Sequence, residues 1–297
     1  MLLQIFTPEI GSPPPLDHGS APSQEEYASG IPVVTYHQIT THQSAYSASP
    51  TKLRTDLQKL YDAGFFLIQP ADLEDGLSRV PFNRRPVMIT FDDGWEDNFR
   101  YIVQPNGEQI IDPDCAVAIV NFFLEEHPDF GQGVMFFISW DKVPFGNNTE
   151  EKLNILLDMG HAIGNHSTDH IAFTKIATSR YWEQVLPSLN SFQRKLGFRT
   201  NSIIAFAYPG GQIPRGGNAE STLASIEYQG RQAITQGYLV DGAVGNFNRF
   251  YNSEVGRYRI SRIDMALYSV PRLLNWSNIM VESEFRSSLH DDLPWRP

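Results

Sequence analysis

Two adjacent carboxylates, Asp92 and Asp93, directly follow the apolar run 87–91 and precede Gly94. Side chains just after a buried strand stand on a rigid platform and point into the crevice above a sheet. Because close like charges repel, one of the two aspartates needs a nearby cation or a proton. Asp-Asp-Gly is also a common turn sequence, so the pair alone leaves a structural role open.

Two histidines, His166 and His170, are four residues apart further along the chain. On a helical turn they would lie on one face and could hold one cation, with Asp93 as the third ligand. Two histidines and one carboxylate, with positions left open for water, describe a catalytic zinc-type site. The alternative is a pair of partly exposed loop histidines. The polar residues 167–169 between them favour a loop near solvent over a buried core.

The elements that must position these residues are read from hydrophobic periodicity and turn signals. The pattern predicts strands over 31–36, 65–68, 86–91, 134–139, 162–165, 203–207, 238–240 and 257–263. It predicts helices starting at Ser49 and Pro50, over 72–78, around 117–124, from a Thr149 cap, over 179–196 and over 225–236. This alternation favours a parallel sheet with helices outside, in a barrel-like α/β fold.

The chemically interesting residues all follow predicted strands: His37, the two aspartates, the two histidines and the segment 208–211. In a barrel of parallel strands those ends form one face, where active sites lie. We therefore expect these four clusters to meet.

Composition restricts the partners of the chain. The 297 residues carry a formal net charge of −11, which disfavours a nucleic-acid partner and polyanionic substrates and suits a neutral or cationic one. The single cysteine, Cys115, allows no intrachain disulfide. Since no run of 18 apolar residues occurs, we expect no membrane span.

The first 30 residues are rich in Pro, Gly and Ser and predict a weakly packed leader or linker before a domain at 31–297. The opening residues lack the charged and long apolar regions of a signal peptide, so a cytoplasmic location stays open.

Thr90-Phe91-Asp92-Asp93-Gly94 and His166-Ser167-Thr168-Asp169-His170 together resemble the first two motifs of the polysaccharide deacetylase family, the NodB-homology carbohydrate esterases. The resemblance runs from about residue 31 to 263. It implies a distorted (β/α) barrel, an extracytoplasmic location and metal-dependent removal of acetyl groups from N-acetylated sugars. By position, Asp92 resembles the general base. Asp93, His166 and His170 resemble the ligands of one divalent ion: zinc, with cobalt or nickel as alternatives.

Tyr208-Pro209-Gly210-Gly211 resembles the third motif of the family, which implies that the Gly210 amide faces the oxyanion. A tight turn after a strand is the alternative for the glycines. The motif usually carries an arginine before its proline, where Phe206 and Ala207 stand here. Arg262, at the end of the last predicted strand, is therefore the candidate partner of the base.

The general acid is the least obvious assignment. The usual late Leu-x-His motif is missing, since His290 follows Leu289 directly in a polar tail. The stretch 33–39 instead resembles the amino-terminal motif of the branch that acts on β-1,6-linked poly-N-acetylglucosamine, in which an early histidine is the acid. The resemblance thus implies His37 as the acid, with a structural hydrogen-bonding role as the alternative.

The expected function is hydrolysis of N-acetyl groups on an N-acetylhexosamine polysaccharide that is poly-N-acetylglucosamine-like, chitin-like or peptidoglycan-like. The aromatic residues Trp95 and Tyr208 are expected to stack on sugar faces. One alternative is a metal-dependent amidase or esterase acting on a non-sugar acyl group. Another is a non-catalytic glycan-binding relic, which the intact aspartates and histidines disfavour.

Overall fold

The computed structural model describes residues 30–214, 218–253 and 255–274. The predicted leader lies outside these ranges except for Gly30, and so do Leu289 and His290. No helix in these ranges is long and apolar enough to cross a membrane.

Short strands and helices alternate along the described residues. The strands are β1 (Val33–Tyr36), β2 (Gln38–Ile39), β3 (Ser47–Ala48), β4 (Phe65–Leu67), β5 (Arg85–Phe91), β6 (Tyr101–Val103), β7 (Gln109–Ile111), β8 (Met135–Ile138), β9 (Ala162–Asn165), β10 (Ala205–Ala207), β11 (Glu227–Tyr228), β12 (Arg231–Gln232), β13 (Gln236–Tyr238) and β14 (Ile263–Asp264). The α-helices are α1 (Pro50–Asp62), α2 (Pro70–Glu74), α3 (Ala116–Glu126), α4 (Thr149–Asp158), α5 (Trp182–Leu196), α6 (Ala219–Ala224) and α7 (Phe247–Asn252).

Eight of the strands form one curled parallel sheet in the order β13-β10-β9-β8-β5-β1-β14, with β4 beside the first half of β5. The segment 260–264 brings the two ends of this row together. Ile260 pairs with Tyr238 of β13, and Ile263 pairs with Val34 of β1. With helices packed around it, the sheet is the distorted (β/α) barrel that the sequence predicts.

The strand β5 shows how the sequence fills both sides of this sheet. Val87, Ile89 and Phe91 belong to the large apolar cluster beneath the helices, whereas Met88 belongs to a second cluster inside the barrel. Successive side chains of a strand point to opposite faces, so Thr90 and then Asp92 continue the inner side. The alternation thus delivers Asp92 to the mouth of the barrel.

Helix α1 forms as its start signals predict. Ser49 is the N-cap and its side chain accepts a hydrogen bond from the backbone N–H of Lys52 at 3.0 Å, while Pro50 is the first helical residue. The predicted Thr149 cap is wrong by one residue, because Asn148 precedes α4 as its N-cap and Thr149 is the first helical residue. The Thr149 hydroxyl donates instead to the carbonyl of Pro144 at 2.8 Å.

Two predicted elements are wrong. The helix predicted over 225–236 is replaced by the hairpin β11–β12, whose turn residues Gln229 and Gly230 have φ values of 52° and 76°. A left-handed pair of this kind closes a tight hairpin and cannot continue a helix. The strand predicted over 257–263 is a 3₁₀ turn at Val255–Tyr258 followed by the short β14.

Candidate active site

Four loops at the carboxyl ends of parallel strands carry predicted site residues, and the side chain of Arg262 reaches them from the amino end of β14. Loops after β1, β5, β9 and β10 carry His37, the aspartate pair, the histidine pair and Gly210, and Arg262 comes just before β14. The face predicted from the strand ends therefore brings together the aspartates, the histidines and Arg262.

Asp93, His166 and His170 form a compact triad. The Oδ1 atom of Asp93 lies 3.2 Å from Nε2 of His166 and 3.0 Å from Nε2 of His170, and the two Nε2 atoms are 3.2 Å apart. Asp93 and His166 are buried, while the His170 side chain is about one-third exposed. The three atoms thus converge on one point at the edge of solvent.

The segment from His166 to His170 is a loop and not the helical turn on which a shared face was expected. Ser167 and His170 have φ values of 78° and 52°, which a helix does not contain. The backbone N–H of Ser167 donates to Oδ1 of Asn165 at 2.8 Å, and the N–H of His170 donates to Oγ of Ser167 at 3.0 Å. These two bonds fold the loop so that both imidazoles face Asp93.

The chemistry of the triad fits a divalent cation. Nδ1 of His166 lies 2.8 Å from the carbonyl of Ala207, so Nδ1 carries the proton and Nε2 presents a lone pair to Asp93. Oδ1 of Asp93 is buried without a hydrogen-bond donor among the described residues. Acceptor atoms held this close repel unless a cation lies between them, and ligands of a tetrahedral zinc are about 3.3 Å apart. Asp93, His166 and His170 are therefore suited to hold one ion.

The carboxylate of Asp93 is ionised. Burial raises the pKa of the Asp93 carboxyl, but the contacts with His166 and His170 lower it by more. The net result is a pKa well below the usual range. The same contact with Asp93 raises the pKa of His170 above its usual 6.5.

Asp92 is held apart from the triad by Arg262. The guanidinium is fully buried and donates from both terminal nitrogens to the two carboxylate oxygens of Asp92, at 2.7 and 2.8 Å. It also donates to the hydroxyls of Thr35 and Thr90 at 3.3 and 3.0 Å and to the carbonyl of Leu239 at 2.9 Å. The pairing of Arg262 with Asp92 that the sequence suggested is thus present.

The charge on Asp92 follows from this contact. Burial raises the pKa of the Asp92 carboxyl, but Arg262 lowers it by more, with smaller contributions from His166 and His37. The net effect is a lowered pKa. Its Oδ2 atom is 4.0 Å from Nε2 of His166, next to the triad but outside it. The two adjacent aspartates are therefore both charged and differently engaged.

His37 and Gly210 follow the carboxyl ends of β1 and β10. His37 is half-buried, its Nδ1 is buried without a partner among the described residues, and its ring lies 5.5 Å from that of Tyr46. Gly210 is exposed at φ 73°, and Gly211 at φ 71° lies so close to Val240 that a Cβ would approach its side chain to 2.7 Å. The roles predicted for His37 and Gly210 stay predictions.

The two aromatic residues expected to stack on sugars have other contacts. Tyr208 is 1% exposed and its hydroxyl donates to the carbonyl of Tyr258 at 2.9 Å, so its predicted stacking is wrong because no ring face is open. Trp95 is half-buried, its Nε1–H donates to Oδ2 of Asp93 at 2.8 Å, and Nζ of Lys142 is 3.5 Å from the centre of its ring. Sequence reasoning missed Lys142, whose only signal is its place after β8.

A cavity of about 860 Å³ opens beside Gly211, in the segment after β10. Its walls include Gln212, Leu239, Asp241 and Ser261. The aspartate pair and the histidine pair do not line it.

We expect metal affinity to depend on Asp93 and not on Asp92. Asp93→Asn should weaken binding of zinc or cobalt strongly, whereas Asp92→Asn should retain the ion, because Asp92 is engaged by Arg262. Binding to the wild type should release a proton from His170 and should weaken as the pH falls through its pKa, which lies above the usual 6.5, because the proton competes with the ion. Isothermal titration in buffers of different ionisation enthalpy measures both effects. Equal loss of affinity in the two variants contradicts this division of roles.

We expect the buried Asp92–Arg262 pair to be strongly coupled. Arg262→Met leaves a buried carboxylate without its cation and should lower the free energy of unfolding by about 3–5 kcal/mol. The double variant Asp92→Asn, Arg262→Met removes both charges and should be more stable than the sum of the two single losses predicts. Urea unfolding of the four proteins measures the coupling, and strictly additive losses would contradict it.

Two sequence comparisons match part of the chain to polysaccharide deacetylases. The family model described as polysaccharide deacetylase matches residues 118–229, which include both histidines of the triad. YxkH of Bacillus subtilis (strain 168), which carries the name of a polysaccharide deacetylase, is 22% identical over 220 residues, covering 73% of this chain and 67% of its own.

Solved structures share the fold. The deacetylase PplD of Streptococcus pyogenes, in complex with acetate, has a TM-score of 0.61 at 17% identity and covers 83% of this chain and 97% of its own. IcaB from Ammonifex degensii has a TM-score of 0.59 at 18% identity and covers 84% and 97%. At these identities the similarity concerns the fold.

Proposed function

We propose that the chain is a polysaccharide deacetylase, the family that it matches over residues 118–229 and whose fold it has, and that it removes N-acetyl groups with the help of one divalent ion. The observation that carries this proposal is that two adjacent aspartates contact different partners. Asp93 faces two imidazoles, and Asp92, charged and buried, lies beside them under Arg262. Residues 31–297 would form the catalytic domain.

The triad would hold the ion, with zinc as the proposed metal and cobalt or nickel as alternatives. When bound, the ion would polarise the acetyl carbonyl and acidify a water molecule. Asp93 and the two Nε2 atoms orient toward a single point, and the Ala207 carbonyl fixes the tautomer of His166 that this requires.

Asp92 is the proposed general base. A base must be ionised and must lie within reach of the water without being tied up as a metal ligand. Arg262 holds the carboxylate in its charged form and fixes its plane through two hydrogen bonds. The same contact makes Asp92 a weaker base. Arg262 thus lowers the basicity of the carboxylate but keeps it ionised and fixes its orientation.

His37 is the proposed general acid. Breaking an amide requires a proton on the leaving nitrogen, and a positioned acid contributes roughly 10²–10⁴-fold. His37 follows β1, the immediate neighbour of β5, and its buried Nδ1 has no partner among the described residues. The Gly210 amide, in a left-handed turn at the exposed rim, is the proposed donor to the oxyanion.

The proposed substrate is a neutral N-acetylhexosamine glycan that is poly-N-acetylglucosamine-like, chitin-like or peptidoglycan-like, met outside the cytoplasm. The net charge of −11 suits a reaction that turns a neutral amide into an ammonium group. The cavity beside Gly211 gives space for neighbouring sugar units of a polymer.

The function is tested on defined N-acetylated oligosaccharides by mass spectrometry. We expect loss of acetyl groups with added zinc or cobalt, none with a chelator, and recovery when the metal is restored. Simple N-acetyl amides without a sugar serve as the control. Preferential turnover of these amides would instead support an amidase, and turnover of neither class would contradict a deacetylase.

The role of His37 is tested by its leaving-group dependence. His37→Ala should retain the metal but slow amide hydrolysis by roughly 10²-fold or more, because the leaving amine needs a proton. An acetyl ester of an acidic phenol should be affected much less, since a phenolate departs without one. If both substrates slow equally, or neither does, the acid is another group.

A further inference from the structure

The two oxygens of the Asp93 carboxylate have different neighbours. Oδ1 faces the imidazoles of His166 and His170 at 3.2 and 3.0 Å. Oδ2 accepts a hydrogen bond from Nε1–H of Trp95 at 2.8 Å and lies 4.0 Å from Nζ of Lys142. The donors thus lie on one side of the carboxylate and the histidines on the other.

The ring of Trp95 is itself held in place. Nζ of Lys142 lies 3.5 Å from the ring centre, a cation–π contact that fixes the plane of the indole. The loop that carries Lys142 is joined to the Asp93 turn, because the N–H of Phe145 donates to the carbonyl of Gly94 at 2.8 Å. The loop after β8 therefore sets the direction of the Trp95 N–H.

We infer that Trp95 is a positioning residue for Asp93, which it holds so that Oδ1 alone is presented to the metal site. This inference rests on the proposed function, since it takes the triad to be the metal site. A carboxylate with two free oxygens can bind an ion through one or both. Occupying Oδ2 with a donor favours a single ligand atom and keeps positions open for water and substrate, as catalytic sites require.

The contacts of Trp95 argue against a primary role in stacking on a sugar. One face of the indole lies against the ammonium of Lys142, and the edge that carries the N–H is directed at Asp93. The two roles make different demands on the side chain. Stacking needs an aromatic face, which phenylalanine keeps, whereas positioning needs the N–H, which phenylalanine lacks.

The test compares Trp95→Phe with Trp140→Phe. Trp140 follows β8, as Trp95 follows β5, but its Nε1 has no hydrogen-bond partner among the described residues, so its replacement removes a ring N–H that Asp93 does not use. Hydrogen-bonding partners of metal ligands typically contribute 10–100-fold to affinity. We therefore expect the dissociation constant for zinc to rise about 10–100-fold in Trp95→Phe and to stay near the wild-type value in Trp140→Phe.

A second readout follows the ligand set directly. Cobalt bound to Trp95→Phe should show a shifted visible absorption spectrum, because a changed number of carboxylate oxygens changes the ligand field, while Trp140→Phe should match the wild type. Trp95→Leu should resemble Trp95→Phe in both measurements. Thermal melting of the metal-free proteins checks that the variants are folded.

The outcomes separate this inference from the proposed function. If the wild type binds no stoichiometric metal, the proposed function fails and the inference with it. If the wild type binds metal and Trp95→Phe matches it in both affinity and spectrum, the inference alone is overturned. A raised KM for oligosaccharide in Trp95→Leu, with KM and metal affinity unchanged in Trp95→Phe, would establish stacking instead.

Discussion

A guanidinium that is fully withdrawn from water has to be matched by a carboxylate, and the pair of Arg262 and Asp92 meets this requirement at the mouth of the barrel. The remaining donors of Arg262 reach hydroxyls on β1 and β5 and the carbonyl of Leu239 after β13. One side chain thus joins the neighbouring strands β1 and β5 to the segment after β13, which lies at the other end of the strand order. Removing only one partner would leave a buried charge, which costs far more than the net contribution of the intact pair.

The same constraint explains how two neighbouring aspartates coexist. The pleat of β5 points Asp92 to the inner side, toward Arg262. Asp93 then takes a left-handed conformation, φ 73°, which removes it from the pleat and turns it toward the histidines. Aspartate tolerates this conformation better than most residues. Each carboxylate therefore meets its own cationic or metal-holding partner, and the mutual repulsion is offset without a shared proton.

The sequence predicted the parts that depend on local pattern and motif spacing. The strand ends and the clustering of Asp93 with His166 and His170 were predicted from residue type and spacing, whereas the need for a substitute arginine was implied by the family resemblance. The burial of Tyr208 depends on a residue distant in sequence, Gly237 of β13. A Cβ at that position would collide with the Tyr208 hydroxyl. The sequence near residue 208 gives no indication that Gly237 leaves room for the Tyr208 side chain.

The same limit applies to the contacts of Trp95 and to the hairpin at 227–232. An aromatic residue after Asp-Asp-Gly is compatible with stacking on a sugar and with hydrogen-bond donation. The ammonium that contacts its ring lies 47 positions further along, at Lys142. In the hairpin, a turn begun by Gln229 is a weaker signal than Asn-Gly or Asp-Gly, so apolar periodicity suggested a helix. The helix prediction is wrong because tertiary contacts outweigh local preference in the hairpin, whereas the predicted stacking of Trp95 stays a prediction.

The separation of 170 residues between Asp92 and Arg262 has a consequence for folding. Closing a loop of this length costs conformational entropy, so we expect this contact to form after the local elements. The triad closes within residues 93–170, so the proposed metal ligands can assemble before the segment that carries Arg262 and β14 is docked. The proposed base, by contrast, gains its partner only when the last strand of the described barrel is in place. Metal uptake and catalytic competence would then mark two successive stages of maturation, and a chain arrested between them would hold its ion without being able to turn over substrate.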